Sequence, residues 1–372
     1  MVEWKKLGEI CDIGTGSNNR EDACDNGCYP FYVRSQEVLR INSYLYDEEA
    51  ILIPGEGAIG DIFHYVNGKY GLHQRTYRVH PITNSVKGRY IYYFLFANFK
   101  TYINAKSYKS TAASIRKPML LDFPIIIPSL EEQTRIVGIL DTFTSAIDNL
   151  KEQIAQRRKQ YEHYRDQLLD YSKDSCVVWK PLECAYPFIR NGFVGTVTPF
   201  FTNKNNGVRY LEGTNIHNGK ISDNTLLYVT QDFHQKHKKS ELKADDILMV
   251  QSGHIGECAI VGNKYEGANC HALIIMSNGG FCNSKFIVYY FHTSKGLKSL
   301  SPAITGGAIK HVLAKKVGKI LIPIPSLEEQ SRIVSILDTF EASISNLEAQ
   351  LKLREKQYEY YRNKLLTFEK AE

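Results

Sequence analysis

Two stretches of the chain carry the same spacing of apolar residues. In the first, Ile136, Leu140, Phe143, Ile147, Leu150 and Ile154 are followed by Tyr161, Tyr164 and Leu168. In the second, Ile333, Leu337, Phe340, Ile344, Leu347 and Leu351 are followed by Tyr358, Tyr361 and Leu365. The steps alternate between four and three residues, which is the seam of a coiled-coil helix. Pro128 and Ser129 stand before Leu130, Glu131 and Glu132, a helix start with carboxylates in its first turn, where the helix dipole favours them. One copy of about 43 residues spans roughly 65 Å at 1.5 Å per residue if it is continuous. Both seams are interrupted at the same heptad position, by Arg157 and by Arg354. Such a residue either fixes register and orientation inside the seam or lays its stem along the helix and carries its charge out to water. The sequence leaves both readings open.

Outside the seams the pattern shortens. Apolar and β-branched runs at Ala50–Pro54, Tyr90–Phe96, Ile247–Val250 and Ala272–Met276 read as strands. Turn-forming groups separate them: Gly14-Thr15-Gly16-Ser17-Asn18-Asn19, Asn203-Lys204-Asn205-Asn206-Gly207 and Asn278-Gly279-Gly280. The expected class is α+β, with mixed α/β domains separated by two long helices.

The pattern is doubled because the sequence is doubled. IPSLEEQTRIVGILDTF at 127–143 returns as IPSLEEQSRIVSILDTF at 324–340, and RRKQYEHYRDQLL at 157–169 returns as REKQYEYYRNKLL at 354–366, at a constant offset of 197. The upstream echo is fainter. DEEAILIPGEGAIGDIFHYV (47–66) parallels ADDILMVQSGHIGECAIV (244–261), YIYYFL (90–95) parallels FIVYYF (286–291), and Trp4-Lys5-Lys6-Leu7 parallels Trp179-Lys180-Pro181-Leu182. The expected organisation is a first domain at 1–127, a helix at 128–172, a second domain at 173–323 and a second helix at 324–372. Leu169 to Trp179 is ten residues, and Leu366 to Glu372 with Met1 to Trp4 also sums to ten, so the chain reads as a ring of two equal units. That arithmetic predicts an antiparallel helix pair with a pseudo-twofold internal repeat.

Composition adds limits. The 372 residues are 43% hydrophobic and 23% charged, with a net charge of +6 and eight cysteines. A mild basic excess suits a polyanionic partner without requiring one. No run approaches a membrane span, and Met1-Val2-Glu3-Trp4-Lys5-Lys6 lacks a signal-peptide core, so a cytoplasmic protein is expected. Only Cys24 and Cys28 lie close together, so reduced thiols and no metal site are expected. The phosphate-loop, dinucleotide-binding, HExxH and GxSxG signatures are absent, as is the Asn/Asp-Pro-Pro-aromatic tetrapeptide of amino-group DNA methylation. His234 and His237 read as part of a solvated basic loop, and Asp22, Asp25, Asp245 and Asp246 as turn carboxylates. No catalytic residue is expected.

The tandem segments Pro128-Ser129-Leu130-Glu131-Glu132-Gln133 with Arg135-Ile136-Val137, and Pro325–Gln330 with Arg332-Ile333-Val334, resemble the specificity subunits of type I restriction-modification enzymes. The resemblance extends to Ser252-Gly253-His254-Ile255-Gly256, which departs to Gly55-Glu56-Gly57-Ala58-Ile59-Gly60 in the first half, and to Lys109–Arg116 and Thr305–Lys310 ahead of each helix. It covers essentially the whole chain. It implies that each variable domain is a target-recognition domain for one half of a bipartite site in double-stranded DNA. It also implies that the two helices act as a ruler and docking platform. The implied partners are methyltransferase subunits, two of them, and motor-nuclease subunits. S-adenosylmethionine, ATP and Mg would serve those partners, with no cofactor in this chain.

Base edges are read by Arg, Lys, Asn, Gln, Ser and Thr, while phosphate contacts set position. The polar loops offer Thr15, Ser17, Asn18, Asn19, Arg20, Lys106, Tyr108, Lys109 and Thr111 in the first domain. In the second they offer Asn203, Lys204, Asn205, Asn206, Ser252, His254, Thr305 and Lys310. Each of these also fits an ordinary solvated turn. Two rival readings of the whole chain remain: a coiled-coil scaffold without a nucleic-acid role, and an enzyme with an unrecognised active site.

Overall fold

The computed structural model describes residues 3–106, 114–174, 176–307 and 310–368. The chain forms two compact units. Residues 1–152 join 348–372 in unit 1, and 153–347 make unit 2.

Unit 1 opens on a two-stranded ribbon, Glu3–Lys6 against Pro124–Ile127, with Trp4 opposite Ile126. Its main sheet has six strands in the order Cys11–Thr15, Thr76–Pro81, Tyr46–Pro54, His64–Leu72, Tyr29–Tyr32, Val38–Ile41. All neighbours are antiparallel except Tyr29–Tyr32 beside His64–Leu72. Ala50–Pro54 is buried throughout, as a central strand covered on both faces must be. The helix Gly88–Lys106 covers one face, burying Tyr90, Ile91, Tyr93, Phe94, Leu95, Phe99 and Ile103.

The strand expected at Tyr90–Phe96 is therefore helix, and so is its echo, inside Ser284–Phe291. A continuous apolar run buried on all sides has no periodicity to separate the two states. Gly14 and Thr15, expected in a turn, end the strand Cys11–Thr15.

Unit 2 repeats this topology. Its ribbon is Val178–Pro181 against Leu321–Ile324. Phe188–Asn191, Leu273–Ser277, Ile247–Val250 and Cys258–Ile260 form an antiparallel sheet. A three-stranded sheet continues the order with Asn269–Cys270, Gly207–Leu211 and Leu227–Thr230. The strand His64–Leu72 of unit 1 corresponds to two pieces here, separated by the turn Asn263–Tyr265. The one parallel neighbour falls at the same place, Gly207–Leu211 beside Asn269–Cys270. The repeat thus persists in strand order where the two sequences have diverged. His234, expected in a solvated loop, is buried on the short helix Gln231–Lys236. Its Nδ1 bonds the Asn269 side chain at 2.6 Å. His237 packs edge-on against Phe193.

The two seams are continuous helices, Leu130–Leu168 and Leu327–Leu366. Ser129 and Ser326 cap them, each accepting from the third residue on, Glu132 and Glu329, at 3.2 Å. Ile136, Leu140, Ile333 and Leu337 are fully buried, while Ile147 and Ile154 are nearly so. Within unit 1, Phe143 stacks on Tyr361 at 5.3 Å, and Lys151 approaches Glu355. Within unit 2, Phe340 stacks on Tyr164 at 5.5 Å, and Tyr161 donates to Glu341. In unit 1 rising numbers on one helix meet falling numbers on the other, so the pairing is antiparallel. Arg354 lies over the Phe143 ring at 5.7 Å and Arg157 over the Phe340 ring at 5.8 Å. Neither arginine is buried in the seam. Each carries its charge over an aromatic face of the opposite helix, a contact of about 0.5–1 kcal/mol at an exposed position.

Buried glutamines tie each helix start to its domain. Gln133 accepts from the Lys87 N–H and donates to the Ser85 and Pro128 carbonyls. Gln330 accepts from the Asn283 N–H and donates to the Pro325 carbonyl.

Candidate nucleic-acid interface

In unit 1 the backbone ladder collects several polar loops at one place. The Asn18 N–H donates to the Leu72 carbonyl, and the Gln74 N–H donates to the Asn18 carbonyl. Gly16 fits because it has no side chain: an added Cβ would lie 1.9 Å from the Leu72 oxygen. The Gln74 side chain donates to Asn19 Oδ1 at 2.7 Å. Asn19 also caps the short turn Arg20–Asp22. On the next strand end, the Gly55 N–H donates to the Arg75 carbonyl, and the Ile115 N–H donates to the Gly55 carbonyl. Loops at 16–20, 55–60, 73–75 and 114–115 are therefore held by main-chain bonds, with Ser17, Asn19, Arg20, Gln74 and Arg75 exposed and His73 and Ile115 buried.

Sequence reasoning missed Arg34, Gln74 and Arg75 in this group. Glu56 accepts from Arg34 and from Arg75, each at 2.9 Å. These pairs, Arg75 first, hold the Glu56 carboxyl below the usual range. His73 is buried, and its Nδ1 accepts the Arg75 N–H. Burial is the main reason its imidazole stays below its ordinary pKa, with Arg34 and Arg75 adding to it. The visible signal was the pair of histidines after matched strands, Leu72-His73-Gln74-Arg75 and Cys270-His271-Ala272-Leu273. Of the residues expected here, Thr15, Ser17, Asn19 and Arg20 are exposed and Asn18 is half-buried. The Lys106 side chain and all of Tyr108, Lys109 and Thr111 lie outside the described residues.

Unit 2 builds a matching ladder. Ser252 pairs with His311, and Thr305 with His311 from the other side. The Val312 N–H donates to the Gln251 carbonyl, the counterpart of the Ile115–Gly55 bond. Ser252, Thr305 and Lys310 are thus brought together, with His254 exposed on the adjoining loop. Gly253 and Gly256 have φ of +80° and +88°, and Gly57 and Gly60 have +91° and +73°. The two glycine loops share one conformation although only one keeps the Ser-Gly-x-Ile-Gly sequence. Among the described residues, nothing beyond the chain neighbours lies within 4 Å of a Cβ added at Gly57 or Gly253. Asn203, Lys204, Asn205 and Asn206 form an exposed turn in which Asn203 Oδ1 accepts from the next amides, and its neighbours pair with Tyr228 and Val229. That turn sits on the three-stranded sheet and not on the Ser252 ladder.

Several other ionisable groups are structural. Arg78 grips Glu48 and Asp12 beneath the unit 1 sheet. Asp141 takes Arg89 and Tyr93, and Asp338 takes Tyr289 and Lys285. Among the described residues no cluster of His, Cys, Asp and Glu is arranged to hold a metal, and no helix is long and apolar enough to cross a membrane.

Known proteins place this geometry. Residues 1–157 and 185–354 match the type I restriction modification DNA specificity domain. A putative type I restriction enzyme specificity subunit of Haemophilus influenzae is 28% identical over 99% of this chain and 96% of its own length. The specificity subunit of the Escherichia coli restriction enzyme EcoDI is 33% identical over 46% of this chain and 38% of its own. The crystal structure of the S subunit of a type I system from M. genitalium superposes with a TM-score of 0.62 at 16% identity, covering 100% of this chain and 97% of that one. Two specificity domains, two capped helices and two matching loop ladders agree with that match, and the chain belongs to the family of type I restriction-modification specificity subunits.

Proposed function

We propose that each unit reads one half of a bipartite DNA site through its glycine loop and the ladder beside it. The paired helices set the number of base pairs between the halves. Methyltransferase subunits, two of them, and motor-nuclease subunits dock on this chain and supply the chemistry with S-adenosylmethionine, ATP and Mg. The chain itself selects where that chemistry acts.

One observation carries this reading most. The two loop ladders share main-chain pairings and carry different side chains: Glu56 and Ser114 in one, Ser252 and His311 in the other. A scaffold gains nothing from such variation on a fixed frame. A reader of two different half-sites requires it, because base edges differ while the duplex backbone does not.

The net charge of +6 is modest for a protein that would hold DNA unaided. Band-shift titration at physiological salt should show weak binding by the chain alone. Adding the methyltransferase subunits encoded with it should tighten binding to one site far more than to random DNA. Equal affinity with and without those subunits would overturn the reading.

A further inference from the structure

The unit 1 loop carries an arrangement that unit 2 lacks. Arg34 Nη1 and Arg75 Nη1 both donate to the same oxygen of Glu56, at 2.9 Å each. The position matching Glu56 in unit 2 is Ser252, Leu273 pairs with Val250 as Thr76 pairs with Pro54, and no arginine stands at 271–273. All three side chains are partly exposed, Arg75 most, at 55%. Two guanidinium groups this close would repel each other. A shared carboxylate holds both in place before any ligand arrives.

The backbone beneath Arg75 is fixed at both ends. Its N–H donates to His73 Nδ1 and its carbonyl accepts from Gly55. The side chain is the free part. It uses one Nη1–H on Glu56, which leaves its Nε–H and Nη2–H edge open among the described residues. That edge is a pair of parallel donors. Guanine presents two acceptors, O6 and N7, to the major groove, whereas adenine presents one acceptor and one donor. Gln74 and Asn19, adjacent and exposed, add amide groups but no competing charge.

We propose that the half-site read through unit 1 contains a guanine, contacted in the major groove by the Nε/Nη2 edge of Arg75, and that Glu56 is the positioning residue that aims it. This rests on the reading of unit 1 as a half-site reader. Arg34 completes the clamp on Glu56 and spaces the two cations.

The test uses the full chain expressed with its methyltransferase subunits in a host lacking the system, with genome-wide methylation sequencing as the readout. The wild-type motif should hold a guanine in one half. Arg75→Lys keeps the charge and loses the fork. It should relax that one position, with discrimination falling roughly 5- to 150-fold, and leave the other half unchanged. Glu56→Gln should relax the same position less. If Arg75→Ala does not fold, Arg75→Lys still decides the matter. A wild-type motif without guanine in either half overturns the proposal, as does an unchanged motif in Arg75→Lys. So does uniform weakening across sequences in Arg75→Ala with the salt slope of binding lowered by about one, which marks a phosphate contact. If the wild-type chain directs no site-specific methylation, the half-site reading fails and this inference with it. If wild type directs a motif that Arg75→Lys leaves intact, this inference alone fails.

Discussion

Removing Gln133 should loosen unit 1 and leave unit 2 alone. The residue is fully buried where the first long helix meets its domain. Its amide makes three bonds: to the Lys87 N–H at 2.9 Å, to the Ser85 carbonyl at 3.0 Å and to the Pro128 carbonyl at 2.9 Å. The Pro128 bond is buried, and losing it strands an acceptor at about 1–3 kcal/mol. The other two are reached in part by water, and each is worth about 1 kcal/mol. Gln133→Ala should therefore cost about 3–5 kcal/mol. Gln330→Ala, which breaks bonds to Asn283 and Pro325, should cost about 2–4 kcal/mol in unit 2. Gln133→Glu matches the volume of glutamine but turns an acceptor toward two carbonyls, so it should cost at least as much as alanine. Amide hydrogen exchange reports the two units separately. In Gln133→Ala, amides of Gly88–Lys106 should exchange about a hundredfold faster, the equivalent of roughly 3 kcal/mol, while those of Ser284–Phe291 stay at wild-type rates. Acceleration of less than about threefold, or equal acceleration in both units, would refute the argument that these amides anchor each helix to its own domain.

Replacing residues 1–127 with the same region of another family member should change one half of the methylated motif and spare the other, as read by methylation sequencing; a change in both halves would show that the units do not read independently. Inserting four residues after Glu152 and four after Ala349 adds about 6 Å to each helix and should lengthen the gap by roughly two base pairs; an unchanged gap refutes the ruler. His292 should make unit 2 sensitive to acid. Its Nε2 accepts the Cys258 N–H at 3.2 Å and so must be unprotonated. Burial lowers its pKa more than Glu257 raises it, and Arg165 adds to the lowering. A folded pKa below the unfolded value contributes stability that is present above about pH 6.5 and lost as pH falls through the folded value. Exchange of Ser284–Phe291 should accelerate below about pH 6.5, and His292→Gln should flatten that dependence.

The long helices were legible because a seam residue obeys a local rule. Ile136, Leu140, Ile333 and Leu337 recur at helical spacing and are buried, whereas Tyr164 and Tyr361 on the same seams are exposed and Leu169 and Leu366, one residue past the expected Leu168 and Leu365, are buried. Ser129 and Ser326 announced the helix starts for the same reason. Tyr90–Phe96 was not legible, since a run buried on every side looks alike as strand or helix. The reading of His234 failed differently: its neighbours in sequence are charged, but its ring is buried and its Nδ1 meets Asn269 from a distant strand. The glycine loops were visible as a motif in unit 2 and as a departure in unit 1, yet only the shared positive φ shows them to be one device. Arg34 and Arg75 stand far apart in sequence on separate strand ends. Only the sheet register brings both to Glu56. A surface built by non-local strand pairing leaves little trace in a linear pattern.

The most direct test of the central claim is the methylation pattern that the chain imposes when produced with its methyltransferase subunits in a host without the system. The expected pattern is one motif made of two short specific halves, separated by a constant unspecified gap and absent when this chain is omitted. Methylation that is independent of the chain, or a single uninterrupted motif, would contradict it.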